Sequence, residues 1–207
     1  LHHALNGLGP GGGEGYEADR SNAGGSYGGR GSDGGTAGNE GRTYGDSSIS
    51  SLIGGSGGGH SYLGTGNAGG GGGAIELIVT GDLTIGSNGR IEVDGGNGTF
   101  DLGRAGGGGS GGSIRIKANS INNLGTLSAR GGNVEQSSSG PGGGGRIALL
   151  SEGTLNAGIT LVSGGTSTTL SGKAGTVLEI SPPDLASLPP EINAQYGQIL
   201  LFDSIPS

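Results

Sequence analysis

Three times along the chain a run of glycines turns directly into a short segment of alternating apolar residues: GGGGGAIELIV at 69–79, GGGGSGGSIRI at 106–116 and GGGGRIALL at 142–150. Recurrence of one local pattern marks an internal repeat, and a repeat restricts the fold more than any single motif does. Alternation at a period of two makes each segment a strand with one apolar face. Further apolar positions follow each strand before the next glycine run: Leu83, Ile85, Ile91 and Val93 in the first unit, Ile121, Leu127 and Ala129 in the second, Leu155, Thr160 and Val162 in the third. A partial fourth unit offers Leu178 and Ile180. The units also end alike, in Val93-x-Gly95-Gly96, Ala129-x-Gly131-Gly132 and Val162-x-Gly164-Gly165.

Three strands per unit with glycine corners predict an all-β fold, a parallel β-solenoid of about three to four coils in which equivalent strands stack. Ile75, Ile114, Ile147 and Leu178 are expected to form one inward row, and Glu76, Arg115, Ala148 and Glu179 the outward row beside it. Glu76 then pairs with Arg115 across coils. The competing fold is a sandwich of hairpins, for which Asn88-Gly89 would be a suitable two-residue turn. No regular series of such turns accompanies it.

Composition enters here because 56 of the 207 residues are glycine, aromatics make up 3%, and Cys, Met and Trp are absent. Ordered glycine loses more backbone entropy than any other residue, and a thin aliphatic core cannot hold so many of them. Dense backbone hydrogen bonding must. In residues 1–73 glycines recur at a spacing of three (Gly25, Gly28, Gly31, Gly34; Gly35, Gly38, Gly41; Gly66, Gly69, Gly72). That is the period of polyproline II, whose bare glycine face lets neighbouring segments pack closely. The chain is therefore read as a glycine-rich extended segment at 1–73 packed on the coils, solenoid coils at 74–180, and a proline-containing segment at 181–207. Insertions at 97–105 and 134–141 are expected to leave the coil corners and join the glycine layer. Tyr16, Tyr27, Tyr44 and Tyr62 are read as pins between glycine segments; the alternative is an adhesive surface carried by Tyr27, Tyr44 and Tyr62.

Several function classes are excluded. A net charge of -7 argues against nucleic acid, and no apolar run is long enough to span a membrane. Without Cys there is no thiol chemistry or disulfide, and the lack of Met reads as a processed or excised segment. Asp82, Arg90, Glu92, Asp94, Lys117 and Arg130 are scattered outward positions, and general acid–base work needs such groups clustered. No enzyme is expected. Gly64-x-Gly66-x-x-Gly69 has the letters of a dinucleotide fingerprint but neither the strand before it nor the helix after it. No cofactor is expected either. Calcium has one candidate seat at Asp94 and Asp101 on a glycine corner and another in the nonapeptide-like GGRGSD at 28–33, which lacks a tandem copy. Pro182-Pro183 and Pro189-Pro190 stop the coils. After them Ile199, Leu200, Leu201 and Phe202 form an apolar strand that either caps the last coil or adds to a neighbouring subunit.

The ordered set GGSYGGRGSDGG, TYGDSS, GGGGGAIELIV, GGGGSGGSIRI, GTLSARGGN and GGGGRIAL, spread over residues 9–165, resembles the glycine-rich β-solenoid modules of very large bacterial cell-surface, adhesin-like proteins. The resemblance implies an extracellular or surface setting and a structural or adhesive role. The expected function is that of a self-associating structural protein, a fibre or surface-layer subunit. An adhesin module binding a glycan or a surface is the alternative, and a polysaccharide-active enzyme the third.

Overall fold

The computed structural model describes residues 4–15, 22–34, 40–61, 66–101, 104–135 and 139–182. Ile199, Leu200, Leu201 and Phe202, together with Tyr16, Tyr62, His2 and His3, lie outside the described residues. The strands among the described residues are β1 (Ala74–Ile78), β2 (Leu83–Ile85), β3 (Arg90–Glu92), β4 (Phe100–Asp101), β5 (Arg104–Ala105), β6 (Ser113–Ala118), β7 (Ile121–Asn123), β8 (Thr126–Ser128), β9 (Arg146–Ser151), β10 (Leu155–Asn156), β11 (Ile159–Leu161) and β12 (Thr176–Ile180). Among the described residues no helix is long and apolar enough to cross a membrane.

Apart from β4 and β5, consecutive strands fall in different sheets. Sheet one has the order β1-β6-β9-β12, sheet two β2-β7-β10 and sheet three β3-β8-β11, and every pairing in them is parallel. A small antiparallel ribbon, β4–β5, stands apart within the first insertion. Asn88-Gly89 makes no hairpin. It lies between β2 and β3, which belong to separate sheets, in a turn closed by the Gly89 N–H on the Gly86 carbonyl (2.7 Å).

Side chains from all three sheets meet in one aliphatic core, where Ile114, Ile116, Ile121, Leu127, Ile147 and Leu149 are completely buried together with Val93, Ala118 and Ala129. β-Branched residues dominate because they pack well on a pleated surface. Ile75 pairs with Ile114 and Ile114 with Ile147, as the alternation predicts, and the Arg115 guanidinium forms its ion pair with Glu76. The last member of the row is different. Val177, not Leu178, stands opposite Ile147, and Leu178 stands opposite Ala148, so Glu179 leaves the outward row and faces Leu149. A one-residue slip moves every side chain to the other face. The register follows the final glycine of each run: Gly73, Gly112, Gly145 and Gly175 each immediately precede a strand, and the N–H groups of Ser113, Arg146 and Thr176 bond to Gly73, Gly112 and Gly145 respectively.

The glycine runs are the second structural principle. Within 106–112 the N–H groups of Gly106, Gly109 and Gly112 donate to Thr99, Gly96 and Val93; those of Gly107 and Ser110 donate to Gly59 and Ser56; those of Gly108 and Gly111 donate to Gly140 and Gly143. Gly69 and Gly72 in turn donate to Gly107 and Ser110, Gly25 to Gly108 and Gly132 to Gly109. Each partner segment is met at every third residue, the period of a polyproline II helix, which makes no internal hydrogen bonds. The same spacing links Ala23 and Ser26 to Glu14 and Gly11, and Gly29 and Ser32 to Gly144 and Pro141. The hub of this network is the run before β6 and not the amino-terminal tract in which the spacing of three is most visible. The insertion after β3 re-enters it through the Asn22 Nδ2 and Ser139 Oγ donors on the Ala105 carbonyl (2.6 and 2.8 Å).

Candidate functional site

Tyr27 has only 1% of its surface exposed, and its ring lies 4.8 Å from that of Tyr44 and 5.2 Å beneath the Arg146 guanidinium. Arg146 opens β9 on the outer face of sheet one, where its Nη2 donates to the Tyr44 and Gly45 carbonyls (2.8 and 3.2 Å) and its Nη1 to Thr176 Oγ1 (3.0 Å). The Tyr44 hydroxyl donates to the Gly54 carbonyl (2.7 Å) and meets Ser56 Oγ at 2.9 Å. Burial pushes the Tyr27 hydroxyl above the usual tyrosine range, with a hydrogen bond from Ser113 acting against it. This is a clamp between glycine segments and sheet one. Tyr27 cannot face a ligand, so it leaves the adhesive set.

The clamp continues into the loop of Asp46, Ser48, Ile49 and Ser50. Ile49 is buried at a φ of 53°, where a β-branched residue is strained. Burial pushes the Asp46 carboxyl up, but the hydroxyl and backbone donors of Ser48 and Ser50 outweigh it and bring the group down to about 2. A depressed native value means that Asp46 stabilises the fold above the ordinary aspartate pKa of about 3.9 and that this contribution fades as pH falls towards 2. In acid denaturation curves Asp46→Asn is expected to flatten the response between about pH 4 and pH 2.

Asp82, Arg90, Glu92, Asp94 and Arg130 each have a side-chain partner. Arg90 bonds Glu92 (2.8 Å) and Asn119 bonds Asp82 (2.7 Å). Asp94 accepts from Ser128 Oγ (2.5 Å), the Arg130 N–H (2.7 Å), and Arg130 Nε and Nη2 (3.1 and 3.0 Å). Its carboxylate is thereby engaged by Arg130 and Ser128. Among the described residues no group of three or more His, Asp and Glu side chains is placed to hold a metal ion.

Around that ion pair lies a polar groove of about 540 Å³, lined by Asp94, Asn97, Arg130, Asn133, Ser163 and Thr166 over a glycine floor. A second hollow shares Asn97 and Asn133 and continues to Phe100 and Glu135. The Asn97 Oδ1 accepts the Asn133 N–H (2.8 Å), and the Asn133 Oδ1 accepts the Thr166 N–H (2.8 Å). These residues close the same four-residue pattern after β3, β8 and β11, the three strands of sheet three: Asp94-Gly95-Gly96-Asn97, Arg130-Gly131-Gly132-Asn133 and Ser163-Gly164-Gly165-Thr166. The paired glycines were legible as corners. The polar residues bracketing them carried the signal for the groove. No family model, curated protein or solved structure matches this chain.

Proposed function

We propose that the chain is a structural protein of the cell exterior that joins end to end into a filament, its three sheets forming a β-solenoid of three complete coils and the first strand of a fourth, flanked by a polyglycine II-like layer. The observation that carries this reading is the state of the sheet edges. Sheets one, two and three end in β1, β2 and β3 on one side and in β12, β10 and β11 on the other. Ile78 on β1 is 58% exposed and Ile159 on β11 is 55% exposed. These edge strands contain neither Lys nor Pro, residues that block edge-to-edge pairing. Of their charged residues, Glu76 is held by Arg115 and Arg90 and Glu92 by one another, which leaves Glu179 as the edge charge without such a pair among the described residues. The two ends are unlike, so contact between them is head to tail and does not close. In this reading the apolar run of Ile199, Leu200, Leu201 and Phe202 adds as a strand to β1 of the next copy. The extracellular setting rests on the resemblance of the glycine–strand units to bacterial surface modules.

Electron microscopy and light scattering of the full chain test the proposal. Unbranched fibres are expected, and Leu201→Asp is expected to leave a folded monomer. A wild-type chain that stays monomeric at every concentration and salt condition refutes it.

A further inference from the structure

The groove that follows β3, β8 and β11 is distinguished by what it leaves available. Most of its backbone N–H groups are already occupied: those of Gly95, Gly96, Gly131, Gly132 and Gly165 donate to Arg130, Gly70, Ser163, Gly109 and Gly142. A peptide strand would find no ladder to join. Side chains remain. Asn97 and Asn133 commit Oδ1 to the next coil's N–H, which fixes the orientation of each amide and leaves each Nδ2 with two donors for a ligand. Arg130 turns Nε and Nη2 to Asp94 and keeps Nη1, and the Thr166 hydroxyl stands next along the row.

The spacing of these donors is set by the sheets. Residues in register on neighbouring parallel strands lie about 4.8 Å apart, close to the length of one ring in an extended sugar chain. Phe100, 46% exposed on the β4–β5 ribbon, flanks the same row and offers an apolar face. Charge narrows the ligand further. Asp94 and Arg130 neutralise one another, Glu135 lines the Phe100 end, and the chain carries a net charge of -7. Phosphate- and carboxylate-rich ligands are therefore disfavoured. An apolar ligand would bury amide and guanidinium groups without partners.

We propose that this groove binds a neutral glycan strand running along the stack, with one ring against Phe100, successive hydroxyls on the Asn97 and Asn133 amides, the far end at the Thr166 hydroxyl, and the mutually neutralised Asp94–Arg130 pair alongside. Rings with axial hydrogens on one face suit an aromatic side chain, and the exposed hydroxyls of a sugar suit a row of amide donors. The site is independent of the apolar sheet edges, so the Leu201→Asp chain serves as host whether or not the wild type polymerises.

Titration calorimetry with hexamers of β-1,4-linked glucose, mannose and N-acetylglucosamine, and with a hexagalacturonate for contrast, tests it. At least one neutral hexamer is expected to bind and the uronate to bind more weakly. Phe100→Ala is expected to weaken binding about five- to tenfold. Asn133→Asp keeps the oxygen that accepts the Thr166 N–H while removing the amide donors, and is expected to abolish measurable binding with the melting temperature little changed. Three results overturn the proposal: no neutral hexamer binds, the uronate binds best, or binding survives both substitutions.

Discussion

Gly109→Ala is expected to prevent folding, whereas Gly70→Ala is expected to leave stability unchanged or slightly raised. Both glycines belong to the packed runs, and neither has a left-handed φ, so backbone preference does not separate them. Space does. A Cβ on Gly109 would overlap the Gly70 carbonyl oxygen and meet Gly69, all backbone atoms fixed by their own hydrogen bonds. Relief would require parting 106–112 from 69–72 along their whole length. The cost is expected to exceed about 4 kcal/mol, the range reserved for disrupted cores and networks. A Cβ on Gly70 meets nothing within 4 Å, and alanine there restricts the unfolded chain, a gain of about 0.4–1 kcal/mol. Urea denaturation of the two variants checks the contrast. Equal behaviour of the pair would mean that close packing is not what selects glycine here.

Tyr27→Ala carries the next largest effect. The ring is almost wholly enclosed by Tyr44, Arg146 and glycine backbone, and deleting a buried aromatic side chain costs about 3–5 kcal/mol. Tyr27→Phe keeps the ring and loses only the hydroxyl's hydrogen bond, a change of about 1 kcal/mol. Hydrogen exchange should localise the damage: amides of Gly25, Gly29 and Ser32, which bond to Gly108, Gly144 and Pro141, lose protection before those of Ile116 and Leu149 in the core. Uniform loss across both groups would instead make the clamp integral to the sheets.

The strands were legible because apolar alternation reports directly on which face is buried. Ile75, Ile114 and Ile147 show it without ambiguity. Leu178 does not, because Val177 and Leu178 are both apolar and only the preceding Gly175 marks which of them aligns with Ile147. The role of 106–112 was half visible: its glycines announced a packed corner, but the segments around it lie far away in sequence, and spacing within one run cannot reveal which distant runs surround it. The groove escaped notice for a related reason. Asn97, Asn133 and Thr166 look like ordinary turn residues one at a time, and only the parallel pairing of β3, β8 and β11 brings them into a row. Tyr27 and Tyr44 join glycine segments as their amphipathic rings suggest. Nothing local distinguishes a buried Tyr27 from an exposed one.

The hub of glycine backbone has a thermodynamic consequence. Unfolding hydrates much peptide and comparatively little hydrocarbon, and the two act oppositely on heat capacity: apolar surface raises it by about 0.45 cal/K/mol per Å², and polar surface lowers it by about 0.26. Where they approach cancellation, the stability curve loses most of its curvature. Such a fold keeps nearly the same margin on cooling, because its cohesion does not depend chiefly on a hydrophobic force that weakens in the cold.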